Sequence, residues 1–146
     1  MIQQQEEQVK EFIHNFLYKQ ESDIIAETLR KQFRCGYCWH FANILRDTFH
    51  RGELYWTAPF GHIVWYDNIT KKYYDIEGEY EQNKHDAFYM IPIKYLGEYI
   101  RSFMHIKNDG HIEKSLKKSE LIEIVKSYCS LNNLEYNKDI ENYMMN

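Results

Sequence analysis

The chain has 146 residues, 44% hydrophobic and 16% aromatic, with 18 Lys and Arg against 22 Asp and Glu and a formal net charge of −4. That length suits one ordinary domain, and the acidic balance excludes a global attraction to nucleic acid or anionic lipid, which need a concentrated excess of Lys and Arg. No run reaches the roughly 18 apolar residues that cross a bilayer, the opening MIQQQEEQVKEF is unlike a secretory leader, and three cysteines do not make a disulfide framework, so a cytoplasmic, reducing setting is expected.

Val9, Phe12, Ile13, Phe16 and Leu17 recur at helical spacing and predict an amphipathic helix over residues 5–19. Ser22 or Asp23 is placed to cap a second helix carrying Ile25, Leu29 and Phe33 and ending near Gly36. Cys38, Phe41, Ala42, Leu45 and Phe49 fall on one face of a third, which Gly52 ends, so Cys38 sits at a helix N-terminus. Beyond Gly52 the texture turns β-branched and aromatic. ELYWTA, GHIVWYD and KKYYDIEG predict an antiparallel meander, with Asp67 and Asn68 as turn formers between the last two.

Around Phe88 to Ile93, AFYMIPI adds a strand whose Pro92 marks an edge or an end. Ile93, Leu96, Ile100 and Phe103 then predict a helix, and KNDGHIEKSLKKSE a polar loop. Ser119 caps a helix that turns Leu121, Ile124, Val125 and Tyr128 inward, and Asn137 caps a short final one. Helices, strands and helices in blocks predict an α+β domain with a small antiparallel sheet, residues 1–106, and a C-terminal helical extension, 107–146, packed on it.

The cysteines in QFRCGYCWHFANIL admit several chemistries. Zinc needs four ligands; Cys35-x-x-Cys38 supplies two, and His50 and His62 do not match finger spacing. A redox pair wants a strand and a βαβ unit before the motif, where two helices stand instead. Packing alone also suits Cys38, because free cysteine is among the most buried residue types. Nucleophilic catalysis needs a thiolate and a base: a helix N-terminus favours the anion, and neighbouring strands starting at His62 and ending at Asp75 can align an imidazole with a carboxylate. His40 points to a different helix face from Cys38, His105 and His111 are fallback bases, and Asp67 lies too near the hairpin tip to orient His62.

The run Gln32-Phe-Arg-Cys35-Gly36-Tyr37-Cys38-Trp39-His40-Phe41 resembles the nucleophile motif of papain-like cysteine proteases. The resemblance implies that Cys38 attacks, that Gln32 and the Cys38 main-chain N–H form the oxyanion hole, and that Trp39 and Phe41 pack the helix. GHIVWYDNITKKYYDIEG is similar to the histidine strand and hairpin of the broader superfamily, which includes transglutaminase-like proteins, arylamine N-acetyltransferases and bacterial cell-wall endopeptidases. There Asp75 takes the place of papain's Asn. Tyr37 departs from the small residue usual in the motif, and only 23 residues lie between Cys38 and His62, where papain inserts a β domain, so the chain resembles the compact relatives.

The same resemblance implies a papain-like or transglutaminase-like fold and a Cys38–His62–Asp75 triad acting as protease, amidase or acyltransferase on a protein or peptide, with neither metal nor organic cofactor. Tyr37, Trp39 and Trp65 are the candidate substrate-lining aromatics, and Cys35 is a reduced structural thiol. The rival expectation is a non-catalytic binding, inhibitor or adaptor protein on the same scaffold, presenting its aromatic sheet face and C-terminal helices to a partner.

Overall fold

A computed structural model of the chain describes residues 2–19, 22–34, 37–58, 61–85, 87–99, 105–106, 112–113 and 117–143. Cys35, Gly36, Ile100, Phe103 and His111, which carry expectations above, lie outside the described residues. The helices are α1 (Ile2–Tyr18), α2 (Asp23–Arg34), α3 (Cys38–Phe49) and α4 (Lys118–Leu131). The strands β1 (Glu53–Ala58), β2 (His62–Asp67), β3 (Lys72–Asp75), β4 (Gly78–Tyr80) and β5 (Tyr89–Pro92) form one antiparallel sheet in the order β4-β3-β2-β1-β5. The α+β class and the meander are therefore present, and Pro92 ends an edge strand, the position in a sheet where proline is tolerated.

By internal contacts the chain divides into two compact units, Met1–Leu54 with Ile63–Glu81 and Tyr55–His62 with Gln82–Asn146. In the first, the stripe Val9, Ile13 and Leu17 of α1 is buried, as are Phe41, Ala42 and Leu45 of α3, Ile63, Trp65 and Tyr74 of the sheet and Ile76 of the β3–β4 turn. Phe16, Phe33 and Phe41 join the three helices, with centroids 5.2 Å apart for Phe16–Phe41 and Phe33–Phe41 and 5.8 Å for Phe16–Phe33. Such tilted aromatic contacts add to the area they bury. Ser22 Oγ accepts the Ile25 N–H (3.2 Å) at the start of α2, the expected cap. Ile25 itself is a correction: it is exposed, with Ile24 beside it at 80%, because α2 docks through Phe33 near its C-terminal end and leaves its first turns in solvent. α3 stops at Phe49, three residues before Gly52, and the next residue, His50, adopts φ 55° with its N–H bonded to the Arg46 carbonyl at 2.8 Å.

In the second unit β1 pairs with β5 in the register Trp56↔Ile91, and α4 packs on β5 through Ile124, Val125 and Cys129. The expected helix after Pro92 is instead a 3-10 helix, Ile93–Tyr99. Its buried residues Ile93 and Leu96 are three apart, the spacing that lines up in a three-residue turn. The polar stretch after it holds a strand, Ile112–Glu113, paired with His105–Ile106. α4 begins one residue before the expected cap Ser119, at Lys118, with the Lys117 N–H donating to Glu120 Oε1 (3.1 Å). Asn137 does cap the final segment, a 3-10 helix at Lys138–Asn142, its Oδ1 accepting the Asp139 N–H at 2.9 Å.

Candidate active site

Cys38 is the first residue of α3, held at 5% exposure by the apolar stripe it opens. Its sulfur accepts the Ile63 main-chain N–H at 3.4 Å, so the thiol faces the backbone of β2 one residue after His62. Tyr37, at the helix cap, places no side-chain hydrogen bond on the N-terminus, and its own N–H donates to the Gln32 carbonyl at 3.1 Å. That bond ties the last turn of α2 to the first of α3. The Gln32 side chain lies on the exposed side of α2.

Asp75 ends β3 and is buried, with Oδ1 accepting the Glu77 N–H (2.8 Å) across the β3–β4 turn, where Asp75 pairs with Gly78. Its neighbour Tyr74 is fully buried and pairs with Trp65, so strand alternation sends Asp75 to the other face of the sheet. His62 opens β2 half-buried, its main-chain N–H donating to Thr57 Oγ1 at 3.2 Å. Cys38 and Asp75 belong to the first unit and His62 to the second.

The sequence profile of a family described as Phage YunG-like protein matches residues 17–124. The chain belongs to that family. The Phage YunG-like match takes in Gln32, Cys38, His62 and Asp75 and the whole five-stranded sheet. Neither the curated proteins nor the solved structures contain a significant match.

Among the aromatics, Tyr37 and Trp39 are half-buried, Trp39 edge-on to His40 with centroids 5.3 Å apart. Trp65 is a correction. It is 0% exposed, its indole N–H donates to the Arg51 carbonyl (2.8 Å) and its ring stacks on Phe49 (5.6 Å), so it has no surface to offer a substrate. Among the described residues no His, Cys, Asp and Glu cluster is arranged to hold a metal ion, and Cys129 is a free, buried thiol in α4.

The feature missed in this Phage YunG-like chain is the ion pair of Asp67 with Arg51. Asp67 does form the turn, taking the Ile69 N–H on Oδ1 at 2.9 Å, but it is also 0% exposed and grips Arg51 through two bonds of 2.7 and 2.9 Å. Burial by itself would raise the Asp67 carboxyl; the Arg51 bonds and the Ile69 N–H outweigh it and hold the group below the ordinary carboxylate value. A signal was available: residues 63, 65 and 67 alternate onto one face of β2, and the first two are core.

Proposed function

We propose that this Phage YunG-like chain performs thiol acyl chemistry, with Cys38 as nucleophile, His62 as base and Asp75 orienting His62. The supporting observation is the Ile63 N–H aimed at the Cys38 sulfur, at the N-terminus of α3. Both the donor and the helix dipole stabilise negative charge on sulfur, which is what a nucleophilic cysteine requires. In the reaction the His62 imidazole takes the thiol proton as sulfur adds to an amide or ester carbonyl. The oxyanion is steadied by the Cys38 N–H and the Gln32 side chain, carried by the exposed last turn of α2. Collapse returns the proton to the leaving amine or alcohol and leaves an acyl-thioester, which water or an amine then resolves. Asp75 orients the imidazole in this reading, and its Oδ1 accepts the Glu77 N–H. The compact papain-like or transglutaminase-like fold belongs to the same reading, with a protein or peptide as substrate.

The test is alkylation by iodoacetamide at pH 6, mapped by peptide mass. One fast-reacting cysteine is expected, lost in Cys38→Ala and slowed in His62→Ala. Three uniformly sluggish thiols would overturn the proposal and leave the non-catalytic binding protein.

A further inference from the structure

In β1 a polar side chain, that of Thr57, is fully buried between the core residues Trp56 and Ala58, in register with Met90 of β5. A buried hydroxyl lowers stability unless it is hydrogen-bonded, and valine has the same branched shape and strand preference without the polar atom. Packing therefore does not call for threonine here.

The oxygen is used at the start of β2. Thr57 Oγ1 accepts the His62 main-chain N–H at 3.2 Å, and the Thr57 carbonyl accepts the Gly61 N–H at 2.8 Å, with Gly61 at φ +74°. Thus a single residue of β1 holds two successive donors of the chain as it enters β2. The next donor along, the Ile63 N–H, goes to the Cys38 sulfur at 3.4 Å. Each of these bonds lies within one unit.

The order of these donors matters for His62. A peptide group is planar, so a bonded N–H holds the plane that carries it. The planes on the two sides of the His62 Cα are those of the His62 and Ile63 N–H groups, and their orientations set φ and ψ of His62 and the direction of its Cα–Cβ bond. Thr57 holds the first of the two planes. A general base works only within hydrogen-bond reach of its proton, and a loosely supported side chain misses that reach.

We infer that Thr57 is a positioning residue for His62, its hydroxyl oxygen fixing the backbone from which the imidazole projects. The inference rests on the thiol acyl reading, in which His62 takes the Cys38 proton. Thr57 acts through the His62 main chain and not on the reacting atoms.

The experiment follows iodoacetamide alkylation of Cys38 in the full chain from about pH 5 to about pH 9, mapped by peptide mass, for the parent, His62→Ala, Thr57→Val and Thr57→Ser. Thr57→Val keeps the shape and removes the acceptor. Its alkylation midpoint is expected to rise by about 0.5–1 pH unit, roughly three- to tenfold less thiolate below the midpoint, in the same direction as His62→Ala. Thr57→Ser keeps the acceptor and loses a buried methyl, so its urea midpoint falls while its pH profile stays with the parent's. A purely structural threonine would leave both profiles at the parent's position. Amide hydrogen exchange on the unsubstituted chain gives a second measurement, with His62 expected roughly tenfold or more slower than an exposed amide. Unprotected exchange at His62, a Thr57→Val profile equal to the parent's while His62→Ala moves it, or a Thr57→Ser profile displaced as far as that of Thr57→Val would each overturn this inference alone. A profile unmoved by His62→Ala would overturn the thiol acyl reading and this inference with it.

Discussion

Replacing Arg51 by Met removes one half of the most deeply placed ion pair among the described residues of the first unit. Asp67 is 0% exposed and the Arg51 side chain 16%, so after the substitution a buried carboxylate is left with the Ile69 N–H and the Thr70 side chain but no cation. Stranding a buried charge in this way costs about 3–5 kcal/mol. Arg51 also lies over the rings of Phe49 and Trp65, 5.3 and 5.9 Å from their centroids, and Met retains part of that packing, so most of the loss is electrostatic. Asp67→Asn is the control. It keeps an acceptor for Ile69 and leaves a guanidinium that reaches solvent, for a loss of about 1–3 kcal/mol. The pH dependence separates charge from packing. The folded-state value of Asp67 is depressed, so its stabilisation is complete above the unfolded value near about pH 4 and is lost as pH falls through the folded value. In Arg51→Met burial is opposed only by the Ile69 N–H and the Thr70 side chain, so the folded-state value rises relative to the parent's and the stabilisation carried by the ionised group at neutral pH is lost. The deficit against the parent is therefore largest at pH 7 and shrinks toward pH 4. Urea unfolding followed by tryptophan fluorescence at both pH values measures it. A deficit below about 1 kcal/mol at pH 7, or one equal at the two pH values, would refute the reasoning.

Gly52→Ala is expected to cost roughly 2–4 kcal/mol, because Gly52 has φ +85° and a β-carbon there runs into the Tyr66 carbonyl and comes within 2.5 Å of Trp65 Nε1; the urea midpoint reports it. Tyr89→Phe removes a hydroxyl that donates to the Glu135 carbonyl (2.8 Å) and accepts the Asn137 N–H (2.6 Å). The expected loss is about 1–2 kcal/mol, with amide exchange at Asn137 accelerating while that of Val125 in α4 holds.

Helix and strand placement was legible wherever one face is buried against a neighbour. α1 and α3 announce themselves by apolar residues at helical spacing, and β1 coincides with ELYWTA because texture changes sharply at Gly52. Local pattern failed where a long-range contact decides. Ile25 has the spacing of a core residue, yet the Phe16–Phe33–Phe41 cluster draws in the other end of α2. Asp67 satisfies every local criterion for a turn former, and its burial depends on a guanidinium 16 residues earlier. Trp65 reads equally well as groove lining or core from its strand alone; Phe49 and the Arg51 carbonyl make it core. Of the candidate site, the helix-start position of Cys38 was legible from periodicity, whereas the Ile63 N–H at its sulfur was not, since a main-chain donor leaves no trace in side-chain identity.

That donor bears on why a cysteine stands at position 38. Ile63 lies two residues beyond the last β2–β3 pair, Trp65↔Tyr74, and its N–H goes to sulfur. A buried N–H needs an acceptor, and a neutral thiol is a weak one; a hydroxyl would serve better if satisfying Ile63 were the whole purpose. The bond gains strength when sulfur is ionised, because charge-assisted hydrogen bonds are roughly twice as strong as neutral ones. The arrangement thus supports the anion more than the resting thiol, with the α3 dipole acting in the same direction. Packing alone asks only for a small apolar residue at the head of the stripe formed by Phe41, Ala42 and Leu45, and alanine would meet that need without a sulfur beside a strand amide.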